Sequence, residues 1–171
     1  MLCNFGVVMK NCSFTGHRVI EKRVLPHLEE LLCRAIEYVY GEGCRNFYSG
    51  GALGFDMLAA KTVLKMKYKF PGMKLFIVAP CRDQSEHWQY SQRNMYDYIL
   101  ASADEVIYTS DDYSASCMKK RNSYLADVSD VMIAYSGRSN SGSAQTVRMA
   151  QAKSIKVFNL YKTLDDEARK Q

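Results

Sequence analysis

Four short stretches of this chain carry residue types that can hold a phosphorylated ligand. Thr15-Gly16-His17-Arg18 sets a hydroxyl, a flexible backbone, an imidazole and a guanidinium side by side. An arginine fork donates two parallel hydrogen bonds to a phosphate. Ser49-Gly50-Gly51-Ala52-Leu53-Gly54-Phe55-Asp56 is a glycine-rich turn that runs into Met57-Leu58-Ala59-Ala60-Lys61, a strong helix former. Backbone N–H groups in such a turn meet an anion at the positive end of a helix, so Gly50, Gly51 and Gly54 are expected to cradle phosphate. Asp56, near the helix start, is placed to take a ribose hydroxyl, although a carboxylate there also suits the helix dipole. Cys117-Met118-Lys119-Lys120-Arg121-Asn122 opens another helix and offers Arg121 and Asn122 to a ligand. Ser139-Asn140-Ser141-Gly142-Ser143, with Thr146 one turn in, is a second candidate cradle; it reads equally as a serine-capped helix start.

Other chemistry is poorly served. The three histidines lack the spacing to acidic partners that a metal site needs. There is no Gly-x-Ser-x-Gly elbow and no Ser/His/Asp order. Gly51 and Gly54 keep part of the dinucleotide-binding spacing, with Ser49 in place of the first glycine. A conventional NAD site also wants an acidic residue at the end of the next strand. Here that strand runs into Ala79-Pro80-Cys81-Arg82, with Asp83 late. Pro80 is therefore counted with the strand-end ligand residues, and no particular cofactor is named.

These stretches need a scaffold that brings them together. Apolar runs at Asn11–Thr15, Arg45–Ser49, Lys74–Ala79, Glu105–Tyr108, Val131–Ala134 and Ile155–Leu160 read as short strands. Between them lie helical patterns, clearest in Leu25, Leu28, Leu31, Leu32, Ala35, Ile36 and Val39, which Gly41 and Gly43 stop. The second helix is expected to reach Phe70, where Pro71-Gly72 breaks it, and the third to run from about Trp88. Strands alternating with helices predict an α/β, Rossmann-like three-layer sandwich, a mostly parallel sheet of about six strands with helices on both faces. Each chemical stretch follows a strand or opens the helix after one, so one cleft at the strands' carboxyl ends is expected.

The 171 residues suit one domain over residues 10–161, with an N-terminal extension at 1–9 and a polar surface tail at 162–171. The net charge of +5 rests partly on Lys61, Lys65, Lys67, Lys69 and Lys74, read first as a solvated helix face and second as a nucleic-acid footprint. Six cysteines without a Cys-x-x-Cys pair, and no signal-like start, favour a reduced cytoplasmic protein. No apolar run reaches membrane-spanning length. Pairing of helix faces into a homo-oligomer is compatible with such a sheet.

Together, Thr15–Arg18, Ser49–Asp56, Cys117-Met118 with Arg121-Asn122, Asp127 with Asp130, and Ser141-Gly142 with Thr146 resemble the YpsA-like branch of the SLOG superfamily. The resemblance spans about Lys10 to Leu160. It implies a Rossmann-like domain for nucleotide-derived ligands of the NAD, ADP-ribose or nucleoside phosphate type. Two related groups imply other activities. The cytokinin-activating phosphoribohydrolases cleave nucleoside monophosphates at the N-glycosidic bond, and their Met-x-x-Arg segment is similar to Met118–Arg121, making Arg121 a catalytic candidate. Thr146 stands where their catalytic glutamate would be. A threonine supplies no carboxylate, so hydrolysis of that type would fall to Asp56 or another acid. The DNA-processing protein A group has a loop that looks like Ser49–Asp56, which implies single-stranded DNA as an alternative partner.

Overall fold

Along the described residues, 8–137 and 139–168, the computed structural model alternates six strands with six helices. The strands are β1 (Lys10–Gly16), β2 (Cys44–Ser49), β3 (Lys74–Ala79), β4 (Glu105–Tyr108), β5 (Val131–Tyr135) and β6 (Lys156–Asn159). The helices are α1 (Leu25–Gly41), α2 (Phe55–Met66), α3 (Tyr90–Ser102), α4 (Cys117–Val128), α5 (Gly142–Ala152) and α6 (Leu160–Ala168). The sheet order is β4-β3-β2-β1-β5-β6, and every neighbouring pair is parallel. The expected α/β Rossmann-like sandwich is the observed fold.

The layers follow from which side chains each element has to bury. In α1, Leu28, Leu31, Leu32, Ile36 and Val39 recur on one face and are buried, while Pro26 sits in the first turn, where its missing N–H costs nothing. This face and those of α2, α3 and α6 cover Phe14, Phe47, Leu75 and Ile77 on one side of the sheet. On the other side α4 and α5 pack together, and Leu125 closes over Tyr48 and Val78. The central strands are buried on both faces because both are covered, and β1 buries the hydroxyls of Ser13 and Thr15 on the face opposite Cys12 and Phe14.

Several element ends differ from expectation. Helix α2 stops at Met66, and the turn after it folds Phe70 back to pack edge-on against Tyr40, with ring centroids 5.0 Å apart. Helix α3 begins at Tyr90, behind a reciprocal cap between Gln89 and Gln92, leaving Trp88 edge-on to the buried Tyr96. The last strand ends at Asn159. The segment expected as a polar tail starts with helix α6, because Leu160, Tyr161 and Leu164 pack on the core at helical spacing. Of the expected N-terminal extension only Val8 and Met9 are described; residues 1–7 and 169–171 lie outside the described residues. No described helix is long and apolar enough to cross a membrane. The five described cysteines are all free thiols.

Candidate functional site

The chain order along the sheet reverses at β1. Walking outward, β2, β3 and β4 lie on one side of it and β5 and β6 on the other. Loops leaving β1 and β5 depart toward opposite helix layers and open a crevice at their carboxyl ends, the usual ligand position in such sheets. A cleft of about 440 Å3 lies there.

Its lining comes from four parts of the chain. The β1 loop contributes Thr15, Gly16, His17, Arg18 and Val19, and the β2–α2 connection contributes Ala52 and Asp56. The first turns of α4 contribute Met118, Arg121 and Asn122, and the start of α5 contributes Ser141, Gly142 and Ser143. Nine of the residues expected from the sequence therefore meet: Thr15, Gly16, His17, Arg18, Asp56, Arg121, Asn122, Ser141 and Gly142.

Ser49, Gly50, Gly51, Gly54, Pro80 and Thr146 do not line it. The three glycines are needed instead for close packing beneath it. The Gly50 carbonyl accepts a 3.0 Å hydrogen bond from Arg121 Nη1, and a Cβ at Gly50 would overlap that guanidinium. The Gly51 N–H donates to Ser49 Oγ, whose hydroxyl donates on to the Asp56 carbonyl. Gly54, at φ +84°, lies so close to the His17 and Arg18 carbonyls that a Cβ would collide with both. Pro80 is buried at the end of β3. Thr146 is fully buried, with its hydroxyl donating to the Gly142 carbonyl one turn back, so its position offers nothing to a ligand.

Asp56 and Arg121 form the charged floor. They are 5% and 4% exposed, and Arg121 Nη1 stands 3.7 Å from Asp56 Oδ2. Arg121 is held by Gly50 and by Nε donating to Asn122 Oδ1 at 2.8 Å. Burial pushes the Asp56 carboxyl up to about 6, only partly offset by Arg121, the Ala52 backbone and Arg18. Asp56 Oδ1 is buried and has no hydrogen-bond partner. Burial likewise lowers Arg121, again against the attraction of Asp56.

His17 acts as a brace. Its N–H bonds the Tyr135 carbonyl, its carbonyl takes the Phe55 N–H, and its Nε2 accepts the Gly137 N–H at 3.0 Å. Accepting at Nε2 places the ring proton of neutral His17 on Nδ1. The ring sits edge-on to Tyr135 and Tyr161. On the opposite rim, Ser141 Oγ caps α5 by accepting the Ala144 N–H, and Ser143 Oγ donates to Ser136 Oγ. The N–H groups of Gly142 and Ser143 then have no acceptor within the helix.

Three lining residues, Val19, Ala52 and Met118, were not singled out as ligand contacts, and Ser143 was expected only as part of the second candidate cradle. Met118 was legible in principle, since three residues before Arg121 it shares a helix face. Gln84 carries no local signal. It reaches from the β3–α3 loop to the Tyr96 hydroxyl at 3.0 Å and to the Gly50 carbonyl at 3.4 Å, backing the floor from behind.

The sequence profile of the YpsA SLOG family matches residues 15–164. The chain belongs to that family. This SLOG protein is 29% identical over 144 residues to the uncharacterized SPbeta prophage-derived protein YoqJ of Bacillus subtilis strain 168, covering 77% of this chain and 80% of that one. It is 25% identical over 162 residues to a UPF0398 protein of Bacillus cereus strain B4264, covering 90% and 88%. Its fold is also that of DNA processing protein A. The Streptococcus pneumoniae protein superposes with a TM-score of 0.64 at 18% identity over 90% of this chain and 50% of its own. The Helicobacter pylori protein, which binds single-stranded DNA, gives 0.61 at 20% identity over 88% and 64%. This SLOG chain thus spans less than two thirds of either DNA processing protein.

Proposed function

We propose that the switch-point cleft binds a nucleotide-derived small molecule, with phosphate toward Arg18 and the α5 N-terminus and a ribose hydroxyl at Asp56. The observation that carries this reading is the buried, unpartnered Asp56 Oδ1 in a cleft whose rim holds an exposed Arg18 and the first turn of α5. A carboxylate oxygen without a donor calls for one from a ligand. A cation and free helix N–H groups suit an anion at the other end. The volume of about 440 Å3 lies within the usual range for small-molecule sites. Phosphate is assigned to the α5 rim rather than to Gly50, Gly51 and Gly54, whose backbone is engaged in packing.

Calorimetric titration with NAD, ADP-ribose and nucleoside monophosphates tests the reading. Binding to at least one, weakened in Arg18→Ala without loss of stability, is the expected result. A folded protein that binds none of them overturns it. A single-stranded oligonucleotide belongs in the same titration, because the H. pylori neighbour binds such DNA; tight binding that collapses with added salt would favour that partner instead.

A second reading is favoured by Asp56 itself. A carboxyl poised at about 6 beside a fixed guanidinium is suited to proton transfer near neutral pH. Among the described residues Asp56 is the one acid lining the cleft, so nucleotide N-glycosidase activity here would run through Asp56 and Arg121. Release of free base from a nucleotide panel, abolished in Asp56→Asn, supports turnover. A silent panel leaves binding alone.

A further inference from the structure

A second, larger cavity lies away from the cleft, on the outer side of the α1–α2–α3 layer. This groove of about 910 Å3 has Glu29 and Glu30 of α1 on one wall and Lys61 and Lys65 of α2 on the other. Leu64, Tyr68, Met95 and Tyr98 supply its apolar surface; Tyr68 is 95% exposed and Tyr98 58%. The four charged residues are exposed, and none makes an ion pair among the described residues. Nearby Lys67, by contrast, is held by Asp104 at 2.6 Å. A solvated face accounts for lysines alone. It does not account for exposed tyrosines beside unpaired charges of opposite sign.

We propose that this groove is a two-fold interface between two copies of this chain. A partner of one charge would be repelled by one wall or the other. A second copy carries both walls in the same arrangement. A two-fold axis over the groove lays the acidic α1 wall of each copy on the basic α2 wall of the other, so the complementary contact is made twice and the assembly closes. Tyrosine is enriched in the centres of such contacts, where Tyr68 and Tyr98 would lose their exposure.

Sedimentation equilibrium on the full chain tests this, with a dimer of twice 19.5 kDa expected and its dissociation constant rising with salt. Lys61→Glu with Lys65→Glu, and separately Glu29→Lys with Glu30→Lys, should each weaken self-association by about a hundredfold through like-charge contact. Thermal unfolding of each variant alone checks that it folds. Mixed together, the two variants should re-form a dimer, because every reversed wall then meets its opposite. A monomer at all concentrations, a dimer indifferent to both reversals, or a mixture that stays monomeric overturns the proposal. If a reversal fails to fold, the salt response of the unmodified chain decides, and a salt-independent dimer counts against it.

Discussion

Arg121 Nη1 and Asp56 Oδ2 face each other 3.7 Å apart on the floor of the cleft, just beyond hydrogen-bond reach, with both side chains almost wholly buried. Burial moves each toward its neutral form by more than the partner moves it back. Buried ion pairs with such imperfect geometry commonly cost a fold more than they return. Asp56 Oδ1 is left free to receive a donor. In the proposed reading a ligand hydroxyl supplies that donor.

The first expected outcome concerns pH and stability. Asp56 has a folded value of about 6 against an ordinary 3.8. A raised value contributes stability that is full below pH 3.8 and lost as pH climbs through about 6. The loss is on the order of 3 kcal/mol. Burial is the largest single influence on Asp104 and raises it, but Lys67, the Leu75 N–H and Lys74 together outweigh burial and hold it below its ordinary value, so it works in the opposite sense. The difference between the native chain and Asp56→Asn isolates the Asp56 contribution. Urea unfolding across this window should show Asp56→Asn gaining on the native chain as pH rises.

Ligand binding should be linked to the same proton. A ribose hydroxyl donating to Asp56 favours the carboxylate, so affinity should fall as pH drops below about 6, with proton release on binding there. Calorimetry in buffers of different ionisation enthalpy reads the released proton. Asp56→Asn should abolish the release and flatten the pH profile; an unchanged profile would exclude Asp56 from the contact.

Gly50 and Gly54 should fail in different ways when changed to alanine. At Gly50 the new Cβ meets the ends of the Arg121 and Asp56 side chains rather than backbone, and displaces both charged groups of the cleft floor. Gly50→Ala should therefore keep most of the stability and lose ligand affinity. At Gly54 the Cβ meets backbone carbonyls, and φ is +84°. Strain of that kind costs about 1–3 kcal/mol before the collision is added. Paired measurements of unfolding and titration should separate the two variants.

Restoring a glutamate at Thr146 should not restore hydrolysis. The side chain there is fully buried and its hydroxyl is bonded to the Gly142 carbonyl. Thr146→Glu forces an unpaired carboxyl into the α5 contact with the sheet, at a cost of several kcal/mol. The expected readout is a lower unfolding midpoint with no base released from nucleotides. A stable, base-releasing variant would show that this position can reach the cleft after all.

Much of this was readable along the chain. The periodicity of Leu28, Leu32, Ile36 and Val39 and the apolar run Lys74–Ala79 respond to a period or a composition that local windows contain. Nine residues that meet in the cleft stood out because each lies directly after a strand or near the start of a helix following one. Phe70 and the start of α6 were misjudged because their structure depends on what they pack against, Tyr40 in one case and the core beside α1 in the other.

The glycine loop shows the division most clearly. Taken alone, Ser49–Asp56 requires a tight strand-to-helix turn, because Gly51 and Gly54 supply positive φ values at little cost. Local sequence thus sets the turn, the order of elements and the types of group available. Whether those glycines face a ligand or another part of the protein is not a local property. Arg121, 71 residues after Gly50, and the His17–Arg18 backbone of another loop occupy the space that the missing Cβ atoms leave. The same three-dimensional contacts bury Asp56, lift its carboxyl to about 6 and withdraw Thr146 from the cleft. Desolvation and close approach depend on residues far away in the chain, so only the tertiary structure decides them.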